Sequence, residues 1–444
     1  MKRYAPGFAV IGLLQALFFW STYGWADPPN AKLNAFDPTC PDLDLNWKEA
    51  GDTVVIVSIS GGGKRASAYA YGALSELQKI PAISAGHPAT LIQAIDFVAG
   101  VSGGAVPAAF IKMNRDSPDP LKGFEKFLYD GTEGAIARGV ANPGNWWSFG
   151  TSSYSRTDLL AEYFDEKLYA KRTFGDLKPW PYLIINATDL SDGQRFNFTP
   201  TQFNCIGSDL KKFRLAYAVA ASAAYPVFFP TLSLKNFNYP PPGDIHLGRG
   251  KGQYIPLIDG GLVDNFATRV YLDLLLNGEL IGDPIRDPKG KIRPLARAFV
   301  FIRIDASAQL GADFADSDDS PGTRLRLERA FEVASTQQID DSDTLFTDSI
   351  VELVETKWPT AGHCVKFLAM TARLKDTPSD LRAKIKAILG TEAVPTRWTL
   401  DEQVIKLLVE AGQRAIRDQK KKTDKFVEWL KANNKESPVC THKK

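Results

Sequence analysis

Apolar runs broken by small-residue turns set the rhythm of this chain. Thr53–Ile59 is continuous and β-branched, the pattern of a strand buried on both faces. It stops at Ser60-Gly61-Gly62-Gly63, and a helix is predicted over Arg65–Lys79, where alanines with Tyr71, Leu74 and Leu77 supply the apolar side. The order then returns: a predicted strand at Ile92–Ala99, the turn Gly100-Val101-Ser102-Gly103-Gly104, and a short helix over Gly104–Met113. Strand, glycine turn and helix, twice over, predict an α/β fold with a mainly parallel central sheet.

The pattern is less regular up to residue 180, with helices predicted around Leu121–Tyr129 and Thr157–Leu168. Tyr182–Ala187 reads as another core strand, Phe196–Thr199 as its hairpin partner, and Lys212–Ser222 as a helix that Pro226 ends or kinks. Tyr254–Ile258 predicts a strand delivering the turn Asp259-Gly260-Gly261, with helix resuming over Leu262–Leu276. Ala298–Asp305 is the last sheet strand the pattern predicts, and helices follow at Leu325–Asp340, Ser379–Ile388 and Asp401–Lys420. The chain therefore divides into residues 1–26, an irregular arm at 27–50, a main domain at 51–310, and a helical C-terminal region at 311–444 that forms a lobe or packs back as a cap.

The first stretch changes where the protein is expected to work. Lys2 and Arg3 precede an apolar run from Phe8 to Trp20. At about 13 residues the run is shorter than the ~20 a membrane-spanning helix needs. Gly24-Trp25-Ala26 then offers small residues to a signal peptidase. A cleaved signal peptide ending near Ala26 is expected, with an uncleaved anchor as the alternative. The mature protein would be exported, either periplasmic or secreted, with membrane association open. Export permits disulfides among Cys40, Cys205, Cys364 and Cys440, but spacing does not choose among the three full pairings. Fifty-three basic residues against 51 acidic ones argue against a nucleic-acid partner.

Three turns carry the candidate chemistry. Ser102 lies between glycines after a buried strand, so its hydroxyl can stand clear of the sheet on a strained turn. Gly100, Gly103 and Gly104 remove side chains that would crowd this elbow, and the helix beyond it favours negative charge at its start. Gly61, Gly62 and Gly63 expose backbone donors of the kind an anionic tetrahedral intermediate needs, with Lys64 or Arg65 adding field or locking the loop. Asp259 stands at a strand end, where its carboxylate is placed to take the serine proton. The four histidines, His87, His246, His363 and His442, occupy no convincing end-of-strand loop; a histidine triad would need His246, His363 or His442 beside Ser102. No metal is required by this chemistry, so no cofactor is expected; the acidic run Asp313, Asp316, Asp318 and Asp319 fits no EF-hand spacing.

These motifs, in this order, resemble the patatin-like phospholipase family. The resemblance rests on Gly61-Gly62-Gly63-Lys64-Arg65, Gly100-Val101-Ser102-Gly103-Gly104 and Asp259-Gly260-Gly261, with Asn186-Ala187-Thr188 and Ala220-Ala221-Ser222-Ala223-Ala224-Tyr225-Pro226 between them. It covers about residues 51–310. It implies a three-layer α/β/α fold and lipid acyl hydrolysis by a Ser-Asp dyad, with Ser102 as nucleophile, Asp259 as its partner, and Arg65 as the basic residue of the oxyanion loop. Ser60 stands where the family often has aspartate, and Ala66 where it often has glycine. The implied partner is a lipid substrate with transient membrane-surface contact, which Trp146 and Trp147 would favour if exposed. Two rival expectations remain: a general carboxylesterase or thioesterase acting on soluble acyl compounds, and a non-catalytic lipid-binding protein of the same fold.

Overall fold

In the computed structural model, the described residues are 29–34, 53–84, 87–151, 154–226, 228–239, 252–271, 285–286, 292–293, 298–307, 322–323, 326–327, 329–335 and 366–432. The strands are β1 (Thr53–Ile59), β2 (Pro81–Ser84), β3 (His87–Thr90), β4 (Phe97–Val101), β5 (Tyr182–Asp189), β6 (Gln194–Asn197), β7 (Leu232–Lys235), β8 (Tyr254–Asp259), β9 (Ile285–Arg286), β10 (Ile292–Arg293), β11 (Ala298–Asp305) and β12 (Lys366–Arg373). The central sheet runs β12-β11-β1-β4-β5-β8-β7, with β6 on the far part of β5. Helices cover both of its faces, giving an α/β/α sandwich.

Strands β12, β11, β1, β4 and β5 are mutually parallel. β1 and β4 are buried almost throughout, as parallel strands covered on both faces must be. The other end of the sheet is antiparallel: β8 runs against β5, and the edge strand β7 runs against β8. β7 alternates buried and accessible positions, as a strand covered on one face does. Periodicity does not report strand direction, so the reversal at β8 was not visible in the sequence.

Helix α1 (Gly63–Leu77) follows β1, and helix α2 (Ala105–Asn114) follows β4. Both match their predicted positions within a few residues. The stretch predicted as helix from Leu262 instead makes a single 3₁₀ turn, Gly260–Leu262, and helical structure begins only at Thr268. The described residues beyond 310 are helical in large part, with Ser379–Leu389 and Glu402–Arg417 close to expectation. It also supplies β12, which pairs with β11 along its whole length and was missed from sequence. Helix Glu402–Arg417 lies directly on α1: a Cβ at Gly72 would meet Val409 O at 2.0 Å, and one at Gly412 would meet Tyr69 O at 2.1 Å. The C-terminal region therefore packs back on the main domain and completes its sheet.

Candidate active site

The site forms where β4 and β8 end. Val101, the last residue of β4, pairs with Asn186 of β5, and Asp259, the last residue of β8, pairs with the next residue, Ala187. β4 reaches this level from one end of the sheet and β8 from the other. Gly260 crosses just above: a Cβ there would lie 2.2 Å from Asn186 O and 3.0 Å from Val101 Cγ1.

Ser102 has φ +50°, a left-handed conformation that is unfavourable for a residue with a Cβ. Its surroundings hold it there. The Ser102 N–H donates to Ser222 Oγ at 2.8 Å, and that hydroxyl donates to Asn186 O at 2.6 Å. Ser67 Oγ donates to Gly103 O at 2.7 Å. Gly103 presses against the glycine loop so closely that a Cβ would sit 2.0 Å from Gly63 O. Gly104 abuts the Ser60 carbonyl, and Gly100 abuts Ala105, so the elbow leaves no room for side chains at these positions. The 3₁₀ turn Ser102–Gly104 runs straight into α2, with Pro107 in its first turn.

The glycine loop lies beside the elbow and is fastened at both ends. The Ser60 N–H donates to Ile304 O at 3.0 Å, and Ser60 Oγ accepts from the Ala306 N–H at 2.7 Å. The Gly61 N–H is shared between Asn265 O at 3.1 Å and Asn265 Oδ1 at 3.2 Å. The Lys64 N–H donates to Arg397 O at 2.8 Å. Between them, Gly62 (φ +137°) and Gly63 (φ +57°) have amides with no hydrogen-bond partner among the described residues.

Both basic residues of the loop are struts. Lys64 Nζ is buried and donates to Phe127 O at 2.6 Å and Thr132 Oγ1 at 3.2 Å, over the Phe127 ring. Burial brings its pKa down to about 7, against the pull of Asp130 and Glu133. Arg65 donates from Nε to Ala306 O at 2.8 Å and from Nη1 to Val394 O at 2.5 Å. Its Nη2 fills the space a Gly62 side chain would need. The guanidinium thus braces the loop and serves carbonyl groups.

Asp259 is fixed through its backbone and one carboxylate oxygen. Its N–H donates to Ala224 O at 3.0 Å, its carbonyl accepts from Thr188 Oγ1 at 3.0 Å, and Oδ1 accepts from the Gly261 N–H at 2.8 Å. Among the described residues, buried Oδ2 has no hydrogen-bond partner. Burial pushes the carboxyl pKa up to about 7; the Gly261 N–H and the nearby Ser102 hydroxyl pull it back down. The serine is thus close enough to favour the carboxylate, while Oδ2 makes no hydrogen bond of ordinary geometry to a described residue.

Asn186 and Ser222, within motifs the sequence shows, position the site, and Asn265 and Asp264 join them without a signal in the sequence. Asn186 Nδ2 donates to Asp264 O at 2.8 Å, tying β5 to the loop after Asp259. Asp264 is buried, faces Arg195 at 3.7 Å, and accepts N–H groups from Phe266 and Arg269. Lone polar side chains inside apolar or small-residue runs were the available signal for Ser222 and Asn186.

Of the remaining candidates, Trp146 is 61% exposed, while Phe149 packs on Tyr154. His87 sits in the β2–β3 hairpin, ahead of the start of β4 and away from its Ser102 end. His246, His363, His442, Cys40, Cys364, Cys440, the acidic run at 313–319 and residues 1–26 lie outside the described residues. Among the described residues, no group of three or more His, Cys, Asp or Glu side chains is placed to hold a metal, and no helix is long and apolar enough to cross a membrane.

Human GIVD cytosolic phospholipase A2 is similar at 11% identity and TM-score 0.46, over 89% of this chain and 64% of its own. Its complex with methyl gamma-linolenyl fluorophosphonate is similar at 12% identity and TM-score 0.40, over 89% and 61%. The chain thus spans less than two thirds of that phospholipase's length. No curated protein matches. The family model for patatin-like phospholipase matches residues 57–272. That stretch contains the glycine loop, the Ser102 elbow and the Asp259 turn, and over it the chain is similar to the patatin-like phospholipase family.

Proposed function

We propose that this protein is a serine acyl hydrolase that cleaves fatty-acyl esters of phospholipids or lysophospholipids. Ser102 Oγ attacks the ester carbonyl and passes its proton to Asp259. The Gly62 and Gly63 amides hold the oxyanion, and Asp259 returns the proton to the departing lysolipid or alcohol oxygen. Water, activated by the same carboxylate, then releases the fatty acid from the Ser102 ester.

The observation that carries this reading is the meeting of Ser102 and Asp259 over Asn186 and Ala187 of β5. An ordinary aspartate is a weak base. A carboxyl shifted to about 7 accepts a serine proton more readily and is still about half ionised at neutral pH. Exposed Trp146 supports transient contact with a lipid surface. The charged and then apolar start of the chain supports action outside the cytoplasm.

The test is ester turnover by wild type, Ser102→Ala and Asp259→Asn on phospholipid vesicles, lysophospholipid and dispersed short-chain esters. Loss of turnover in both folded variants, with greater wild-type activity on vesicles than on dispersed esters, is the expected result. Full turnover in either variant removes that residue from the mechanism. Equal or better activity on dispersed esters points to a carboxylesterase or thioesterase instead.

A further inference from the structure

We infer that residues 394–399, outside the family-matched stretch, belong to the catalytic apparatus as a clamp on the glycine loop, leaving the Gly62 and Gly63 amides as its free donors. This rests on the acyl-hydrolase reading above and assigns work to a region for which that reading has none.

A run of glycines has more backbone freedom than any other sequence, whereas an oxyanion site works only when its donors are held in place before the charge forms. The chain resolves this conflict by engaging the amides on either side of the free pair. On one side, Asn265 takes the Gly61 N–H with both its backbone and side-chain oxygens. On the other, Arg397 O takes the Lys64 N–H at 2.8 Å. That carbonyl packs against the loop backbone itself, 2.6 Å from where a Gly63 Cβ would stand. Val394 O receives Arg65 Nη1 from the same loop.

The clamp is itself seated on helix α3 (Thr132–Ala141). The Trp398 N–H donates to Glu133 Oε1 at 2.9 Å, the Glu133 N–H donates to Thr399 Oγ1 at 3.3 Å, and the Trp398 ring meets Phe164 edge-on at 5.4 Å. Glu133 is therefore a positioning residue: it touches no reacting atom, and it holds the segment whose carbonyl holds the loop.

The test uses the full chain and compares Glu133→Ala, Glu133→Gln and the milder Thr399→Ala with wild type. kcat and KM are read on a soluble short-chain ester. Affinity is read for a trifluoromethyl ketone, whose adduct needs the oxyanion site, and for the fatty acid product, which does not. Glu133→Ala is expected to lower kcat and ketone affinity by about tenfold or more, short of the ~100- to 1,000-fold cost of deleting a donor outright. KM and fatty-acid affinity should move little. Glu133→Gln keeps the acceptor without the charge and should recover most of the loss, and Thr399→Ala should show a smaller loss of the same kind.

Leu408→Ala, at a buried position of helix Glu402–Arg417, which packs on α1, provides a control for lost stability alone. The inference is overturned if both clamp variants keep full kcat and ketone affinity, or if Leu408→Ala loses them equally at the same fall in melting temperature. Turnover that survives Ser102→Ala defeats the underlying reading instead, so the two failures are distinguishable.

Discussion

Ser102 and Asp259 stand at the ends of strands that never pair, yet both are registered on consecutive residues of β5: Val101 lies opposite Asn186, and Asp259 opposite Ala187. The strand between them acts as a ruler. Ser222, bonded to both the Ser102 N–H and Asn186 O, and Thr188, bonded to Asp259 O, transfer that registration to the two turns. The serine–aspartate approach is thus set by buried backbone pairing, whose partners cannot shift without leaving polar groups unsatisfied.

The protonation of Asp259 should govern the rate. In the proposed mechanism its carboxyl must be ionised to accept the Ser102 proton, and burial has raised its pKa to about 7. kcat/KM should therefore rise about tenfold per pH unit below that value and level off above it. A pH–rate profile checks this; a plateau reaching down to pH 5 would mean that Asp259 is not the base.

The same shift has a consequence for stability with the opposite sense. Between the ordinary aspartate value near 4 and about 7, the folded protein keeps a proton that the unfolded chain releases, so this group's contribution falls as pH rises and its burial penalty is complete above pH 7. Asp259→Asn removes the penalty. Paired thermal melts should show Asp259→Asn gaining on wild type by a few degrees or more from pH 5 to pH 8. A gap that does not widen would contradict the buried-carboxylate account.

Ser222→Ala should leave the Ser102 N–H buried without an acceptor, since Ser222 is fully buried and supplies it. A loss of about 1–3 kcal/mol in stability is expected. A fall in kcat beyond what unfolding explains should accompany it, because the strained Ser102 backbone loses its tether. Denaturant unfolding and turnover on the same preparation give both quantities.

Gly103→Ala tests the contact between elbow and loop. A methyl there would meet Gly63 O at 2.0 Å, which the backbone relieves only by separating the two turns. Turnover should fall about 100-fold or more, in line with loss of an oxyanion donor. Titration of the serine with a fluorophosphonate would show slowed labelling in protein that remains folded.

The sequence determined where the turns are and which residues they carry. Glycine runs and β-branched segments act over a few residues, so β1, α1, the Ser102 elbow, α2 and the Asp259 turn were legible from pattern and composition. Tertiary structure alone decided that β8 enters antiparallel, that β12 joins the sheet, that Lys64 and Arg65 brace the loop, and that Asn265 and Arg397 engage the amides on either side of Gly62 and Gly63. Each of these depends on pairing between distant parts of the chain. The raised pKa of Asp259 belongs with them, because desolvation is a property of everything packed around a group and of no residue by itself.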